Sequence, residues 1–301
     1  MNISTIVIFT YNRLDHLNIL ISSLKKNDLF AESKVLVFSD GPKNEIDKDK
    51  IKKIRMFLKE NLIPHNSEIV ERTDNLGLSR NVIGGISQAF KTYDQLIVLE
   101  DDLKVSPFFL NYMNDALNLY ANSENVASIS GYMYPIESQK FSSDYFFLNL
   151  IESWGWGTWK RAWNNFETDS VKLKNEIDER KLVDEFNFSS GISYYKMLND
   201  NINKANDSWA IRWYASTFLK NMITLFPSKS FVKNIGIDNS GENCNYTTVY
   251  DSHINLEYKP LKKIDSLELI TDKFVVKSFF QKIKYKRYID NIINKLKRLI
   301  K

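Results

Sequence analysis

The sequence predicts an α/β protein in which a mostly parallel β-sheet is flanked by helices. Short, continuous apolar runs rich in β-branched residues alternate with longer segments whose apolar residues repeat at helical spacing. Polar clusters, TYNR, SDG and EDD, directly follow three of these runs. Strands that alternate with helices pair in parallel, so these clusters are expected to meet at the carboxyl edge of the sheet, where such proteins bind ligands.

The N-terminal part of the chain predicts four strands and three helices. The first strand segment, TIVIFT, is a continuous run rich in β-branched residues, which is typical of a strand covered on both faces. The helical segments carry a stripe of apolar residues, as at Leu17, Leu20 and Leu24, and Ser79 is expected to cap the third helix. The predicted strands are Thr5–Thr10, Lys34–Gly41, Ser67–Arg72 and Leu96–Glu100, and the predicted helices are Asp15–Lys25, Asp47–Asn61 and Ser79–Thr92.

The second half of the chain predicts fewer regular elements. Tyr132–Phe166 is rich in aromatic residues and glycine, centred on ESWGWGTWKRAW, and is expected to be mostly loop. The predicted elements are a helix at Phe108–Tyr120, a strand at Val126–Gly131, helices around Ser189–Asn203 and Ser208–Asn221, and a strand at Met222–Pro227.

One domain over residues 1–260 is the simplest organisation, with a nucleotide-binding half at 1–130 and an acceptor half at 131–260. Residues 261–301 differ, because from Tyr285 onward apolar residues lie on one face of a predicted helix and Lys and Arg on the other. Such a basic amphipathic helix is expected to bind an anionic membrane surface; the alternative is that it packs on its own domain.

The amino-acid composition argues against several classes of protein. The chain has 301 residues with a formal net charge of +4, which does not favour a nucleic-acid-binding protein. A single cysteine, Cys244, excludes an internal disulfide and a cysteine-based zinc cluster. The sequence shows neither a signal peptide nor a membrane-spanning segment. We therefore expect a cytoplasmic protein, peripheral to the inner face of the cell membrane if its tail binds there.

The fourth predicted strand ends in three consecutive acids, its last residue Glu100 and then Asp101 and Asp102. Adjacent carboxylates repel one another unless a cation or hydrogen bonds offset the repulsion. A hard divalent ion, Mn²⁺ or Mg²⁺, takes one or two carboxylates and completes its shell with water and substrate phosphates. A solvated turn or a helix cap would also account for such acids. The glycine-rich dinucleotide motif and the P-loop motif do not occur in this sequence.

TYNR, SDG, RTDNLGLSRN and EDDL, in this order, resemble the GT-A fold glycosyltransferases of family 2-like type. The resemblance extends over about Ile3–Gly241. VLEDDLKVSPFFLNYM is also similar to the metal-binding region of the Golgi N-acetylglucosaminyltransferase type that initiates complex N-glycans. The resemblance implies a GT-A fold, a nucleotide-sugar donor and a divalent metal.

The resemblance also implies roles for residues on the donor side. Asp102 would coordinate the metal directly, and Asp101 and Glu100 would lie near the donor's ribose or sugar. Relatives often have D-x-D here, and the E-D-D of this chain leaves the division of roles between the acids open. Arg80 would lie near the donor, or form a salt bridge on a helix surface. The remaining donor-binding candidates are Thr10, Tyr11 and Arg13 in the nucleotide pocket and Asp40 at the base.

On the acceptor side, the resemblance makes Asp207 in NDSWAIRW the base that deprotonates the acceptor hydroxyl. From local sequence alone, Asp207 is a helix N-cap. Tryptophan faces stack on sugar rings and glycines admit close backbone approach, although a core cluster is equally expected from these residue types. The sugar-binding candidates are Trp154, Gly155, Trp156 and Trp209.

Two further segments contain candidate site residues. Ser228–Gly241 resembles the part of such domains that closes over the diphosphate. His253 is a candidate metal or phosphate ligand, although a single loop histidine is usually neither.

The resemblance therefore implies an inverting, metal-dependent glycosyltransferase. UDP-N-acetylglucosamine or a related UDP-sugar is favoured as donor, and a glycan or lipid-linked acceptor in bacterial surface polysaccharide synthesis as partner. A sugar nucleotidyltransferase is one alternative, but TYNRLDHL is not the Gly- and Arg-rich loop such enzymes generally carry after the first strand. A non-catalytic carbohydrate-binding protein is another, but it would not need both the EDD acids and Asp207.

Overall fold

The structure, a computed structural model, describes residues 2–62, 66–190, 192–238, 247–264 and 272–283. The strands in these residues are β1 Thr5–Thr10, β2 Val35–Ser39, β3 Ser67–Glu71, β4 Gln95–Glu100, β5 Leu103–Val105, β6 Val126–Ser130, β7 Tyr145–Leu148, β8 Trp156–Trp159, β9 Ile223–Pro227 and β10 Val232–Asn234. The helices are α1 Leu14–Leu24, α2 Glu45–Leu62, α3 Leu78–Ala89, α4 Phe109–Leu119, α5 Lys160–Trp163, α6 Ser170–Glu179, α7 Val183–Phe186, α8 Tyr194–Ile202 and α9 Trp209–Leu219. Residues 272–283 are also helical.

The central sheet has the strand order β3-β2-β1-β4-β8-β6-β9-β7. Strands β3, β2, β1 and β4 pair in parallel, as do β6 and β9. Strand β8 lies antiparallel between β4 and β6, and β7 is antiparallel to β9. The predicted α/β fold with a mostly parallel sheet is confirmed. Because β1, β2 and β4 end at the same edge, the polar clusters that follow them lie on one side of the molecule.

The elements predicted for the N-terminal part are confirmed to within a few residues, as are β6, β9, α4, α8 and α9. Tyr132–Phe166 is loop-rich, as predicted, but it also contains two strands, β7 and β8, that the sequence did not predict. Strand β8 has the sequence WGTW and lacks the β-branched run that marks the other central strands. A Cβ on its Gly157 would lie 2.8 Å from the terminal methyl of Met113, so the glycine that suggested a loop admits α4 instead.

Helices cover both faces of the sheet, which explains why the inner strands β1 and β2 are buried along their whole length. Helices α1, α2 and α4 contribute to the core on one face, and α3, α5 and α9 to the core on the other. All six residues of β1 are buried, as are all five of β2. Four tryptophans lie in the core with α3 and α9: Trp156, Trp163, Trp209 and Trp213.

Residues 272–283 pack on the same core as the rest of the chain. Val276 and Phe280 are buried in the larger core, and Asp272 accepts hydrogen bonds from the Ser142 amide at 2.9 Å and hydroxyl at 2.6 Å. The division of the chain at residue 261 stays a prediction. The amphipathic segment from Tyr285 onward lies outside the described residues. Each helix of the described part of the chain is too short or too polar to cross a bilayer.

Helix α3 contains two adjacent glycines, Gly84 and Gly85, that differ in how closely they approach the sheet. A Cβ on Gly85 would lie 2.5 Å from the ring of Phe9 and 2.9 Å from that of Phe38, whereas Gly84 has no neighbour within 4 Å. We expect Gly85→Ala to lower the free energy of unfolding by about 1–3 kcal/mol through overpacking. Gly84→Ala, the matched control, should raise it by about 0.5–1 kcal/mol, because alanine favours a helix interior. Urea denaturation measures both, and equal effects of the two substitutions would contradict this packing.

Candidate active site

The three acids of EDD lie at the carboxyl edge of β4, beside the end of β1. The parallel register pairs Phe9 with Glu100, and the Asp101 amide donates to the Phe9 carbonyl at 3.1 Å. Asp101 is 3% exposed and Asp102 is 7% exposed. The acids are therefore not the solvated turn that the sequence alone also allowed. They lie in a buried, charged corner of the sheet.

Arg13, directly before α1, bridges two of these acids. Its Nη2 lies 2.7 Å from Asp101 Oδ1 and 2.9 Å from Asp102 Oδ2. The second oxygen of Asp101 accepts hydrogen bonds from the Thr10 hydroxyl at 3.0 Å and the Tyr11 amide at 3.1 Å. The structure thus brings together four of the predicted donor-side residues with Asp102. Thr10 and Arg13 hold the acids in place as well as lining the edge.

Burial and neighbouring charges shift the pKa values of the ionisable groups at this edge. Burial and the charges of Asp102 and Asp101 raise the pKa of Glu100 to about 8. Burial also raises the pKa of Asp101, against the opposing effect of Arg13. Burial would lower the pKa of Arg13, but the charges of Asp101 and Asp102 more than compensate and raise it. Because its raised pKa keeps Glu100 mostly protonated near neutral pH, the negative charge at this edge comes from the two aspartates that Arg13 bridges.

The chain after β10 passes against Asp102. The Ile235 amide donates to the Asp102 carbonyl at 2.8 Å. A Cβ on Gly236 would lie 2.3 Å from Asp102 Oδ2, so only glycine allows this approach. Nearby, His16 Nε2 of α1 lies 3.3 Å from Asp238 Oδ2. The described part of Ser228–Gly241 therefore runs beside the acids, as expected for a closing segment.

A divalent metal fits the donor set at this position. Carboxylate oxygens are the ligands that Mg²⁺ and Mn²⁺ prefer, and glycine at 236 adds no side chain against Asp102, whose Oδ2 also contacts Arg13 at 2.9 Å. Among the described residues, no three Asp, Glu, His or Cys side chains gather into a complete site. Asp102, with Asp101 beside it, would supply the protein ligands, and water and phosphate would complete the shell.

Asp40, expected to bind the nucleotide base, holds a loop instead. Its Oδ1 accepts from the Gly41 and Leu76 amides, both at 2.9 Å, and its Oδ2 accepts from the Gly77 amide at 2.9 Å and Asn75 Nδ2 at 3.2 Å. Asp40 is 4% exposed. With four donors already on the carboxylate, this geometry gives the base-binding role no support. Asp40 joins the end of β2 to the turn before α3.

Two other donor-side candidates are engaged within the chain. The Tyr11 hydroxyl donates to Asp47 Oδ2 at 2.7 Å, which ties the end of β1 to α2. Hydrogen bonds from Tyr11 and Asn12 lower the pKa of Asp47. Arg80 is exposed, and its Nε donates to the Leu76 carbonyl at 2.8 Å. The salt bridge considered for Arg80 is therefore replaced by a contact to the preceding loop.

Asp207 lies at the start of α9 with its side chain 71% exposed. Helix α9 leads into β9, which is parallel to β6, so α9 begins at the carboxyl edge of the sheet. The N-cap is Ser208, whose hydroxyl accepts from the Ile211 amide at 3.3 Å, so the expectation of Asp207 as N-cap is wrong by one residue. The Asp207 carboxylate is therefore exposed and does not serve as the helix cap.

Arg212 links Asp207 to the donor half. Its Nη2 lies 3.1 Å from Asp207 Oδ1 and donates to the Ser79 hydroxyl at 2.5 Å. Ser79 does not cap α3, as had been expected; the helix begins at Leu78, after Gly77, and the Ser79 side chain is buried against α9. The arginine thus joins the starts of α3 and α9 at the carboxyl edge.

Two of the predicted sugar-stacking tryptophans belong to the core. Trp156 is 1% exposed and Trp209 is 3% exposed, and their rings stack on each other with centroids 5.4 Å apart. Neither ring has a free face for a sugar. Gly155 has a φ of +64°, and a Cβ there would lie 2.7 Å from Val232 Cγ2, so its close approach is to Val232 and not to a ligand. These three assignments are corrected to packing roles.

Trp154 is the predicted aromatic residue that stays partly exposed. It contacts Tyr132 edge-on at a centroid distance of 4.7 Å and Tyr250 at 6.1 Å. Two residues earlier, Glu152 accepts a hydrogen bond from the Tyr134 hydroxyl. Burial raises the pKa of Glu152 to about 7, although the hydrogen bond from Tyr134 opposes the rise. Trp154 and Glu152 lie next to β8 at the carboxyl edge.

Sequence reasoning missed Glu152, Arg212 and Gly236. Glu152 immediately precedes the SWGW segment, and its adjacency to that segment was the one available signal. Arg212 and Gly236 gave none, because their importance depends on contacts with distant Ser79 and Asp102.

His253 lines a cavity of about 610 Å³ beside Tyr134, and none of the three acids lines this cavity.

The solved structures that are similar to this chain include the following three. A mannosyltransferase from Pyrobaculum calidifontis, solved with GDP-Man and Mn²⁺, is 12% identical with a TM-score of 0.42, over 72% of this chain and 69% of its own. A cytidylyltransferase from Leptospira borgpetersenii serovar Hardjo-bovis is 16% identical with a TM-score of 0.30, over 43% and 53%. TarS residues 1–349 from S. aureus is 16% identical with a TM-score of 0.37, over 52% and 47%.

These likenesses are too distant to indicate a donor or an acceptor, and the chain spans about half the length of the second and third proteins. No curated protein matches the sequence. The comparisons do not support the expected likeness to the Golgi N-acetylglucosaminyltransferase.

The family model described as glycosyl transferase family 2 matches residues 5–178, more than half of the 301 residues. The matched region contains β1, β4, Arg13 and the three acids, and the chain belongs to glycosyl transferase family 2.

Proposed function

We propose that this glycosyltransferase is inverting and metal-dependent. It moves a sugar from a nucleotide-sugar donor, with UDP-N-acetylglucosamine or a related UDP-sugar favoured, to a glycan or lipid-linked acceptor in bacterial surface polysaccharide synthesis. The observation that carries the proposal is the bridge from Arg13 to Asp101 and Asp102 at the carboxyl edge, with Gly236 packed against Asp102. This arrangement concentrates carboxylate oxygens where α/β proteins bind nucleotides.

On the donor side, Asp102 would hold Mn²⁺ or Mg²⁺, with Asp101 beside it. When bound, the ion would neutralise charge on the donor's diphosphate as the bond to the sugar breaks. Arg13 bonds both carboxylates and keeps them ordered despite their mutual repulsion. The Thr10 hydroxyl donates a hydrogen bond to Asp101 Oδ2 and fixes that oxygen. The acids are therefore positioned before any ligand arrives.

On the acceptor side, Asp207 acts as the general base. Its carboxylate takes the proton of the acceptor hydroxyl as that oxygen forms a bond to the anomeric carbon, while the bond from this carbon to the diphosphate oxygen breaks on the opposite face. One displacement inverts the anomeric centre and needs no covalent nucleophile. The exposure of Asp207 allows an acceptor to reach it, and Arg212 orients it. Trp154 offers a partly exposed face to the acceptor or donor sugar.

The reaction class is tested by the products. Thermal shift with a panel of UDP-, GDP- and dTDP-sugars plus Mn²⁺ identifies the donor. Incubation of that donor with candidate glycan acceptors should then release free nucleoside diphosphate. Release of pyrophosphate from a nucleoside triphosphate and a sugar phosphate would instead identify a nucleotidyltransferase. Sugar binding without any nucleotide release under these conditions would contradict catalysis.

Asp207→Asn tests the base. We expect turnover to fall by about 10²–10⁴-fold, because an amide cannot accept the acceptor's proton, while donor binding stays near that of the wild type. The control is Asp200→Asn, in which the replaced acid is also paired with a basic side chain, Lys196. Steady-state rates and donor titration separate the two effects. Wild-type turnover in Asp207→Asn would show that another group is the base.

Gly236→Ala tests the metal position without changing a ligand. The added methyl group would overlap Asp102 Oδ2 and displace the carboxylate. We expect Mn²⁺-dependent donor binding to weaken by about 10–100-fold, the range typical of residues that position metal ligands. Asp102→Ala should weaken it at least as much. Gly84→Ala serves as the control, and a Mn²⁺ titration unchanged in both site variants would refute the assignment.

Glu152→Gln tests the buried carboxyl beside Trp154. Because burial raises the pKa of Glu152 to about 7, the folded chain holds this proton more tightly than the unfolded chain. The stability that this group contributes is therefore present at low pH and lost as the pH rises through about 7. Glutamine keeps an acceptor for the Tyr134 hydroxyl but does not ionise. The Tm of the variant relative to wild type should rise between about pH 5 and about pH 8. The same trend in the exposed control Glu179→Gln would argue against burial as the cause.

A further inference from the structure

An apolar groove lies between the loop at residues 135–140 and the helix at residues 272–283. Its volume is about 370 Å³, and Ile136, Val275, Phe274 and Phe279 supply its apolar lining. Residues 135–137 also line the cavity of about 610 Å³ that contains Tyr134 and His253. The groove therefore adjoins the cavity that contains Tyr134 and His253, in the predicted acceptor half of the chain.

The helix that forms one wall presents an aromatic side chain to solvent. Val276 and Phe280 point into the core, at 0% and 2% exposure, while Phe274 is 69% exposed. A helix with its apolar stripe already buried does not need a second large apolar residue on the outside. An exposed phenylalanine beside an apolar groove is typical of a surface that contacts another apolar phase.

The rim of the groove is basic. Lys140 and Lys282 lie on opposite walls, and Lys277 is on the same helix. The one acid of residues 272–283, Asp272, is 1% exposed and accepts hydrogen bonds from Ser142. Glu137 also faces the groove and is paired with Lys140 at 3.2 Å, so these two charges offset each other and the net positive charge of the groove lining comes from Lys282. In sequence, the chain continues from this helix into residues 284–301, which hold seven Lys or Arg and one Asp.

We propose that this groove-side face docks on an anionic membrane surface. Phe274 enters the interface between lipid headgroups and acyl chains, and Lys140, Lys277 and Lys282 face the lipid phosphates. An exposed aromatic residue with lysines around it matches an anionic bilayer, which offers apolar depth and negative charge together. A protein partner would have to supply both features at one small groove.

The docking face has a consequence for substrate access. Since the groove and the cavity that contains Tyr134 and His253 share residues 135–137, docking places the opening of that cavity beside the bilayer. A lipid-linked acceptor would then present its sugar to the acceptor half. This consequence rests on the proposed function, but docking itself does not, because vesicle binding requires no catalysis.

The test is co-sedimentation of the full chain with phosphatidylcholine vesicles, with and without phosphatidylglycerol. We expect binding only with phosphatidylglycerol, weakening as salt is raised. Phe274→Ser and Lys282→Glu should each lower the partition coefficient by roughly fivefold or more, since one lysine near an anionic surface contributes a factor of about this size. An unchanged circular dichroism spectrum and Tm show that the variants fold.

The matched controls lie at the other end of the sheet, on α2. Ile46 is 73% exposed, and Ile46→Ser removes an apolar side chain as accessible as Phe274. Lys53→Glu repeats the charge change on an exposed lysine of α2. Both should bind vesicles as the wild type does. Three results would overturn the proposal: no vesicle binding by the wild type, wild-type binding by Phe274→Ser, which assigns attachment to residues 284–301 alone, or equal losses in the controls.

Discussion

The contact of one guanidinium with two neighbouring carboxylates is the interaction on which the rest of this site depends. Three acids follow a strand whose interior is apolar, and their mutual repulsion would favour a looser end to that strand. The Arg13 side chain, bonded to Asp101 and Asp102, offsets part of the repulsion. The remaining negative charge makes the edge suited to a cation and its phosphate ligands.

The parallel pairing of β1 with β4 makes this contact possible. Thr10, the Tyr11 amide and Arg13 follow β1 directly, so the register places their donors level with the acids after β4. The segment after β10 then closes against Asp102 through Gly236. Segments separated by long stretches of sequence thus meet at one carboxylate, and the geometry of the site depends on the intact sheet.

The second half of the chain acts on the site largely through packing. Strand β8 lies between β4 and β6 and brings Trp156 into contact with Trp209 at the start of α9. This stacking holds α9 against the sheet, and Arg212 completes the alignment by bonding both Ser79 and Asp207. The buried tryptophans therefore support the position of Asp207, the proposed base, and have no face open to a ligand. Trp154, which stays partly exposed, is left as the aromatic candidate for sugar contact.

The sequence by itself determined the alternation of strands and helices, the sheet edge where TYNR and EDD meet, and the identity of the acids there. These features follow from local apolar patterning and from the rule that parallel strands end together. Only the tertiary structure decided whether a polar or aromatic residue lines the site or supports it. Asp40 and Trp209 were expected to contact ligands, but Asp40 holds a loop and Trp209 fills the core. Residue type specifies which contacts a side chain is able to make, whereas the partner it meets depends on strand order and register across the whole chain.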